Sequence, residues 1–398
     1  MILNLSIIVF GITGTNGKTT TSYMLRNILE QGGKSCSLVG TIGHHIGDKD
    51  YEAINTTPGA ELLSDYFKQM EAAQTECCVM EVSSHALAQG RVDNIPIAHA
   101  AFMNLTQDHL DYHKSMEEYY QTKKKLFQLN QGASLINIDD AYGRRLYKEL
   151  LEEKAGSKVR SYSLQEIDAD YRGEIVRESL SGFWFRLWEL GRKQGIIRIN
   201  LSGKHSVYDA LAAIGLAKEA GIQVEDIEAG LKNLVGIPGR FEIIKGLEGS
   251  SKEGFAAIID YAHTPDALEN LLRTVKELKQ GRLICVFGCG GERDKEKRAV
   301  MGKVAGTYSD YCIITNDNPR SENPEDIVAD IEEGLYNTGG EYHIITNRRL
   351  AIRWAVSIWQ KGDIIVVAGK GHEKYQVIGK EKRNFDDRAI IREFIGQE

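Results

Sequence analysis

The sequence has no long apolar run, no excess of positive charge and no cysteines at the spacing of a zinc or redox motif, and each lack excludes a class of function. Its longest apolar stretches, such as Ile364 to Ala368, end after a few residues, whereas a bilayer-spanning helix needs about 20. No membrane partner is expected. The first basic residue is Lys18, so the charged start of a secretory signal is lacking and cytoplasmic residence is expected. A formal net charge of −7 gives no global attraction to nucleic acid. Cys36, Cys77, Cys78, Cys285, Cys289 and Cys312 include no Cys-x-x-Cys pair and no Cys/His cluster with zinc spacing. Buried free thiols are expected in their place.

What is present is a globular composition, 42% hydrophobic and 26% charged, which excludes collagen-like and wholly disordered chains. The 398 residues allow two or three domains, and no internal repeat or low-complexity tract interrupts them. Ser6 to Ile12 reads as a buried strand. Thr19 to Gln31 reads as a helix with Met24, Leu25, Ile28 and Leu29 on one face, stopped by Gly32-Gly33. Cys77 to Val82, Ile97 to Asn104 and Ser134 to Ile138 read as further strands separated by helix-length segments, the alternation of a parallel sheet. Between about Arg160 and Leu201 the pattern tightens to Phe183, Phe185, Leu187 and Ile197, Ile199, Leu201, which predicts an antiparallel hairpin. A second strand–helix series follows Pro238-Gly239-Arg240, with strands near Ala256 to Asp260, Leu283 to Gly288, Tyr311 to Thr315, Tyr342 to Ile345 and Ile364 to Ala368, and helices over Asp266 to Leu278 and Arg348 to Gln360.

The segment Gly11-Ile-Thr-Gly14-Thr15-Asn16-Gly17-Lys18-Thr19-Thr20 lies where the first strand must turn into the first helix. Glycines let backbone N–H groups close around phosphate oxygens, Lys18 reaches the β and γ phosphates, and Thr19 offers a hydroxyl to Mg²⁺. Ile12 stands where the strict phosphate-loop pattern has glycine, so this is a variant of it. The expected architecture is α/β: a central P-loop ATPase-type parallel-sheet domain over 1–240, then a smaller Rossmann-like α/β domain over 241–398.

The string T-G-T-N-G-K-T-T resembles the Mur ligase family of ATP-dependent amide ligases. Further strings follow in that family's order: Asn55-Thr56-Thr57-Pro58, Glu81-Val-Ser83-Ser84-His85, Gln89-Gly-Arg91-Val, Asn104-Leu-Thr-Gln-Asp108-His109-Leu-Asp111-Tyr-His113, Pro238-Gly-Arg240-Phe, Asp260-Tyr-Ala-His263-Thr-Pro, Gly288-Cys-Gly-Gly-Glu-Arg293-Asp-Lys, Asp317-Asn318-Pro-Arg320 and Gly369-Lys-Gly-His-Glu373. They are most similar to the family members that add the third residue of a muramoyl peptide. Folylpolyglutamate synthase shares the general architecture, but the last two strings fit it poorly.

The resemblance implies a γ-phosphoryl transfer from ATP to an acceptor carboxylate and attack of an amine on the acyl phosphate. The implied cofactors are ATP and Mg²⁺. Gly14, Thr15, Asn16, Gly17, Lys18, Thr19 and Thr20 would hold phosphates, with His205, Asp209 and Arg240 near the rest of the nucleotide. The segment Gly203-Lys-His205-Ser206-Val-Tyr-Asp209 departs from the family's G-x-F-N-V-x-N, so its base contacts are expected to differ. Thr19, Glu81, His109 and Lys123 would serve the metal, with Lys18, His109 and Lys123 in catalysis. Lys123 falls at the place of a lysine that the family carbamylates. Asn55, Thr56, Thr57, Ser83, Gln89 and Arg91 would hold the acceptor's sugar and peptide. Arg293, Asp317, Asn318, Arg320, Gly369 and Glu373 would hold meso-diaminopimelate, Arg320 taking the distal carboxylate and Glu373 an ammonium. Only ten residues precede Gly11, so the domain that holds uridine in these relatives is expected to be missing, leaving uridine to solvent or a partner subunit. Two other readings remain open, a ligase for a carboxylate acceptor without UDP and a non-enzymatic nucleotide-binding regulator.

Overall fold

The structure, a computed structural model, describes residues 6–153, 158–179, 182–250 and 252–396. Contacts divide the chain into two compact units, one of residues up to Thr106 with His113–Val235, the other of Gln107–Tyr112 with Gly236 onward. Pro238-Gly239-Arg240 thus packs with the second unit: Tyr261 N–H donates to the Gly239 carbonyl, and the Arg240 guanidinium lies 4.7 Å over the Tyr261 ring.

In the first unit the strand Ile8–Thr13 is the pivot of an eleven-stranded sheet, flanked on either side by the parallel strands Cys77–Glu81 and Ile97–Phe102. From Val9 onward its residues are buried on both faces, as a parallel sheet covered by helices requires. Cys36–Val39 continues the sheet on one side; Ser134–Asn137 and Val159–Ser163 continue it on the other. Neighbours from both directions meet at Ile8–Thr13, which makes its C-terminal end the topological switch point where α/β sheets bind ligands. The helix Lys18–Gln31 starts just there and buries Met24, Leu25, Ile28 and Leu29. A second helix, Lys204–Glu219, is buried along most of its length and packs on it; its Ala-rich sequence permits that close approach.

The expected hairpin is larger than its alternation suggested. Tyr171–Ser179, Gly182–Glu189 and Arg192–Ile199 form three antiparallel strands, joined to the main sheet through the parallel pair Val159–Ser163 and Tyr171–Ser179. The first of these strands is mostly polar and exposed, so it carries little hydrophobic alternation to read.

The second unit holds a six-stranded sheet in the order Glu242–Lys245, Ala256–Asp260, Ile364–Ala368, Leu283–Phe287, Tyr311–Ile314, Tyr342–Ile344, all parallel but the first. Its helix Pro265–Leu278 begins one residue earlier than the sequence predicts, because the Thr264 hydroxyl caps the Ala267 N–H and Pro265 suits a first turn. The helix from Arg348 ends at Ile358 instead of Gln360. Five of the six thiols are buried and Cys36 is half-buried. Among the described residues no helix is long and apolar enough to cross a membrane.

One buried group makes this fold sensitive to acid. His44, on the short strand His44–Ile46, is 2% exposed and packs on the Tyr66 ring. Burial, helped by neighbouring His45, pushes its imidazole from 6.5 down to about 4. The unfolded chain therefore takes up a proton that the folded chain refuses, so this stability is complete above pH 6.5 and is lost as pH falls towards 4. The slope reaches about 1.4 kcal/mol per pH unit for one such group. His44→Phe should flatten the fall of the urea midpoint across that window; an unchanged slope would place the titration elsewhere.

Candidate active site

The phosphate loop joins Ile8–Thr13 to Lys18–Gln31. Gly17 has φ 88°, a left-handed conformation, and a Cβ there would run into the Asp209 carboxylate. Asp209 therefore backs the loop from the buried helix Lys204–Glu219, whose first turn carries His205. Thr15 and Asn16 are fixed from the next strand's end: Thr15 N–H donates to the Asn104 carbonyl (3.0 Å) and Asn16 N–H to Asn104 Oδ1 (2.9 Å). Lys18 Nζ curls over the loop and donates to the carbonyls of Gly14 (2.8 Å) and Thr15 (2.9 Å). Thr20 is buried in the helix's first turn. A glycine cradle at a helix N-terminus with a lysine at its rim fits polyphosphate.

Lys123 meets the same loop from behind. It is 1% exposed on the helix Met116–Leu129, its Nζ donates to the Gly14 carbonyl at 2.8 Å, and it lies 4.6 Å over the Tyr119 ring. Two lysines thus share one carbonyl oxygen.

Glu81 ends the neighbouring strand with its side chain wholly buried. Its carboxylate accepts from the Thr19 hydroxyl (2.9 Å), from the Thr41 N–H (2.9 Å) and from the Thr41 hydroxyl (2.9 Å). The sequence reading missed Gly40 and Thr41. A side chain at Gly40 would overlap the carboxylate, and the only signal was a Gly-Thr pair after an apolar run. Thr41 also bonds the Thr56 hydroxyl (3.0 Å), which ties Glu81 to the segment 55–57. There Asn55 is exposed, the Thr57 hydroxyl donates to the Glu81 carbonyl and accepts from the Ser83 N–H, and Arg91 reaches the Thr57 carbonyl while gripping Gln89. Thr56 is therefore tied to the Glu81 carboxylate through Thr41, whereas Thr57, and through it Ser83, Arg91 and Gln89, is tied to the Glu81 backbone carbonyl. A buried oxygen ligand bonded to the phosphate loop's own threonine fits Mg²⁺. Among the described residues no group of three His, Cys, Asp or Glu side chains gathers to hold a metal, so other oxygen donors must complete any coordination.

His109 packs with the second unit. It has φ 55°, and its ring lies 3.4 Å from the buried carboxylate of Asp108. Burial alone would raise the Asp108 carboxyl, yet His109, Lys297 and His263 together hold it well below the usual carboxylate range.

The second unit gathers its polar side chains at the C-terminal ends of its strands. Asp317 and Asn318 follow Tyr311–Ile314, and Gly369 to Glu373 follow Ile364–Ala368. Asn318 donates to Glu373 (2.9 Å), Lys370 Nζ donates to both Asn318 Oδ1 and Glu373 (3.0 Å each), and Gly369 lies against the Asp317 carboxylate. Burial first, then the charge of Asp317, pushes the Glu373 carboxyl up. Arg320 has φ 53° and donates to the Gly291 carbonyl at 2.7 Å; exposed Arg293 stands on the same glycine turn, beside Gly290. Lys370 was inside a quoted string but went unselected, since a lysine between two glycines gives no sign that it will be buried.

Thr41→Val tests the Glu81 cluster. It keeps the N–H and removes the hydroxyl, so it should lower unfolding free energy by about 1.5–3 kcal/mol, the scale for a hydrogen bond to a charged group. Thr41→Ser should stay close to the parent; equal stability of all three proteins would mean that the hydroxyl does not hold Glu81.

The family model of the Mur ligase middle domain matches residues 12–217, and that of the Mur ligase, glutamate ligase domain matches 239–371. A UDP-N-acetylmuramoyl-L-alanyl-D-glutamate--2,6-diaminopimelate ligase of Caldanaerobacter subterraneus subsp. tengcongensis is 46% identical over 98% of this chain and 78% of its own length. A like-named protein, ligase 1 of Clostridium acetobutylicum, is 45% identical over 97% of this chain and 78% of its own. A solved structure of a ligase with that name superposes with a TM-score of 0.68 at 35% identity, covering 98% of this chain and 78% of the other.

Proposed function

The chain belongs to the Mur ligase family, and from that membership we propose that it joins 2,6-diaminopimelate to a carboxylate of UDP-N-acetylmuramoyl-L-alanyl-D-glutamate. It is an ATP-dependent, ADP-forming ligase of peptidoglycan precursor synthesis. The observation that carries the reading is the convergence of Thr19, from the phosphate loop, and Thr41, bonded to the 55–57 segment, on the single buried carboxylate of Glu81. That arrangement couples phosphate binding to acceptor binding through one anion.

A carboxylate is a poor electrophile, so it must first take a phosphoryl group. The loop N–H groups from Gly14 to Thr19 hold phosphate oxygens, and Lys18 exchanges its carbonyl partners for them, since positioning and charge neutralisation do most of the work in phosphoryl transfer. Mg²⁺ at Thr19 and Glu81 would neutralise charge on the transferred group. Thr56, Thr57, Ser83, Gln89 and Arg91 orient the acceptor. His205 and Asp209 belong to the nucleotide's surroundings. We assign ATP binding to 1–240 and the amino acid to 241–398. Asp317 and Glu373 are carboxyl groups whose mutual repulsion an ammonium would relieve, while Arg320 and Arg293 suit a carboxylate at the other end of the same molecule. Mass of the product formed from ATP, Mg²⁺, the dipeptide acceptor and diaminopimelate tests the reading. ADP release that needs neither acceptor nor amino acid would contradict it.

Lys123 is carbamylated in the working enzyme. Carbon dioxide adds to its neutral amine with loss of a proton, which turns a cation into an anion beside the phosphate loop. The support is electrostatic: Lys18 and Lys123 both donate to the Gly14 carbonyl, and the modified nitrogen keeps one N–H for that bond while the repulsion between two cations disappears. Lys123→Ala should lose activity and recover part of it with an added small carboxylate. A full loss without rescue, and no carbamate signal from labelled bicarbonate in the parent, would contradict the assignment.

Arg320→Ala should weaken use of diaminopimelate by about 1.5–3 kcal/mol in kcat/KM, the worth of a hydrogen bond to a charged group. Lysine, which lacks the distal carboxylate, should be affected little. Equal losses for both amino acids would assign Arg320 to the loop that it already braces through Gly291.

A further inference from the structure

The antiparallel strands Tyr171–Ser179, Gly182–Glu189 and Arg192–Ile199 bury Phe183, Phe185, Leu187, Ile197 and Ile199 on one face. The register fixes what stands on the other. Across the three strands the rows are Arg177, Trp184, Arg198; then Glu174, Arg186, Ile196; then Arg172, Trp188, Lys193. Five cations stand against one carboxylate, on a chain whose net charge is −7. Both tryptophans are clamped by guanidinium groups: Arg177 and Arg198 lie 4.9 and 5.1 Å from the Trp184 ring centre, and Arg172 lies 4.8 Å from that of Trp188. Arg186 and the Trp188 indole both donate to Glu174, which spends the one carboxylate locally. None of these residues belongs to the phosphate loop, the Glu81 cluster or the Asp317–Glu373 cluster.

The strand Arg192–Ile199 is also the terminal strand of the eleven-stranded sheet among the described residues. A terminal strand presents backbone N–H and C=O groups to a further strand, and only a polypeptide can use them. Arg177, Arg198 and Ile196 on the outward face are exposed.

We propose that this Arg–Trp face and its terminal strand form a docking surface for an extended acidic segment of a partner protein. Carboxylates on alternate residues of the added strand fall on the outward side, where Arg198 and Lys193 stand at the two ends of the edge strand. Charge complementarity selects an acidic segment, and a second copy of this chain is disfavoured because it would bring the same cations against themselves. Nucleobases need open aromatic faces to stack on, and guanidinium groups occupy those of Trp184. Glu174, in the middle row, also interrupts the continuous positive track that a phosphate backbone follows.

Calorimetry with a synthetic peptide alternating glutamate and threonine tests the proposal on the whole chain, with the lysine–threonine peptide, oligo-dT and phosphatidylserine vesicles as comparison arms. The glutamate peptide should bind and weaken with salt. Arg177→Ser with Arg198→Ser should weaken it about tenfold or more, the effect of about 1.4 kcal/mol. Hydrogen exchange on the unaltered chain should slow in Arg192–Ile199 when the peptide is present, a readout that needs no variant to fold. Absence of peptide binding, no slowing in that strand, or tighter binding of oligo-dT or vesicles through these arginines would overturn it.

Discussion

A fully buried carboxylate on the strand beside the sheet's pivot is the constraint on which the first unit depends. Glu81 is wholly buried, so its charge must be met by donors. Three come from Thr19 and Thr41. To supply them, the phosphate loop, the Gly40–Thr41 turn and the strand end must close on one point. The same closure brings Thr56 and Thr57 into the network. The phosphate loop and the segment 55–57 are thereby set by one electrostatic requirement.

Much of this was legible because the chemistry is local in sequence. The phosphate loop must sit between a strand and a helix, so its glycines, Lys18 and Thr19 announced both its place and its ligand class. Strands such as Ile364–Ala368 were legible as apolar runs, because a parallel sheet covered on both sides has no polar face to interrupt them. The strand Tyr171–Ser179 was not, since its residues are mostly solvated and its pairing is decided by its neighbours. Thr41 and Lys370 were missed for a related reason. Threonine and lysine are ordinary surface residues, and only tertiary packing makes one a donor to Glu81 and buries the other between Asn318 and Glu373.

The second unit follows a different logic. Its polar residues gather at strand ends, and their charges do not cancel: burial first, then Asp317, raises the Glu373 carboxyl, and Lys370 meets Asn318 and Glu373 together. A cluster with competing carboxyl groups and arginines on the adjoining turn suits a zwitterion with charges at both ends.

Glu81→Gln is the most direct test of the central claim, since it nearly preserves volume and hydrogen-bonding reach but removes the charge. Nucleotide affinity should be measured with and without Mg²⁺ on the folded variant. Affinity without the ion should be kept, while the gain produced by Mg²⁺ should fall about tenfold or more, as expected when an anionic ligand is lost. A Mg²⁺-dependent gain equal to that of the parent would show that Glu81 holds the loop together and takes no part in the metal site.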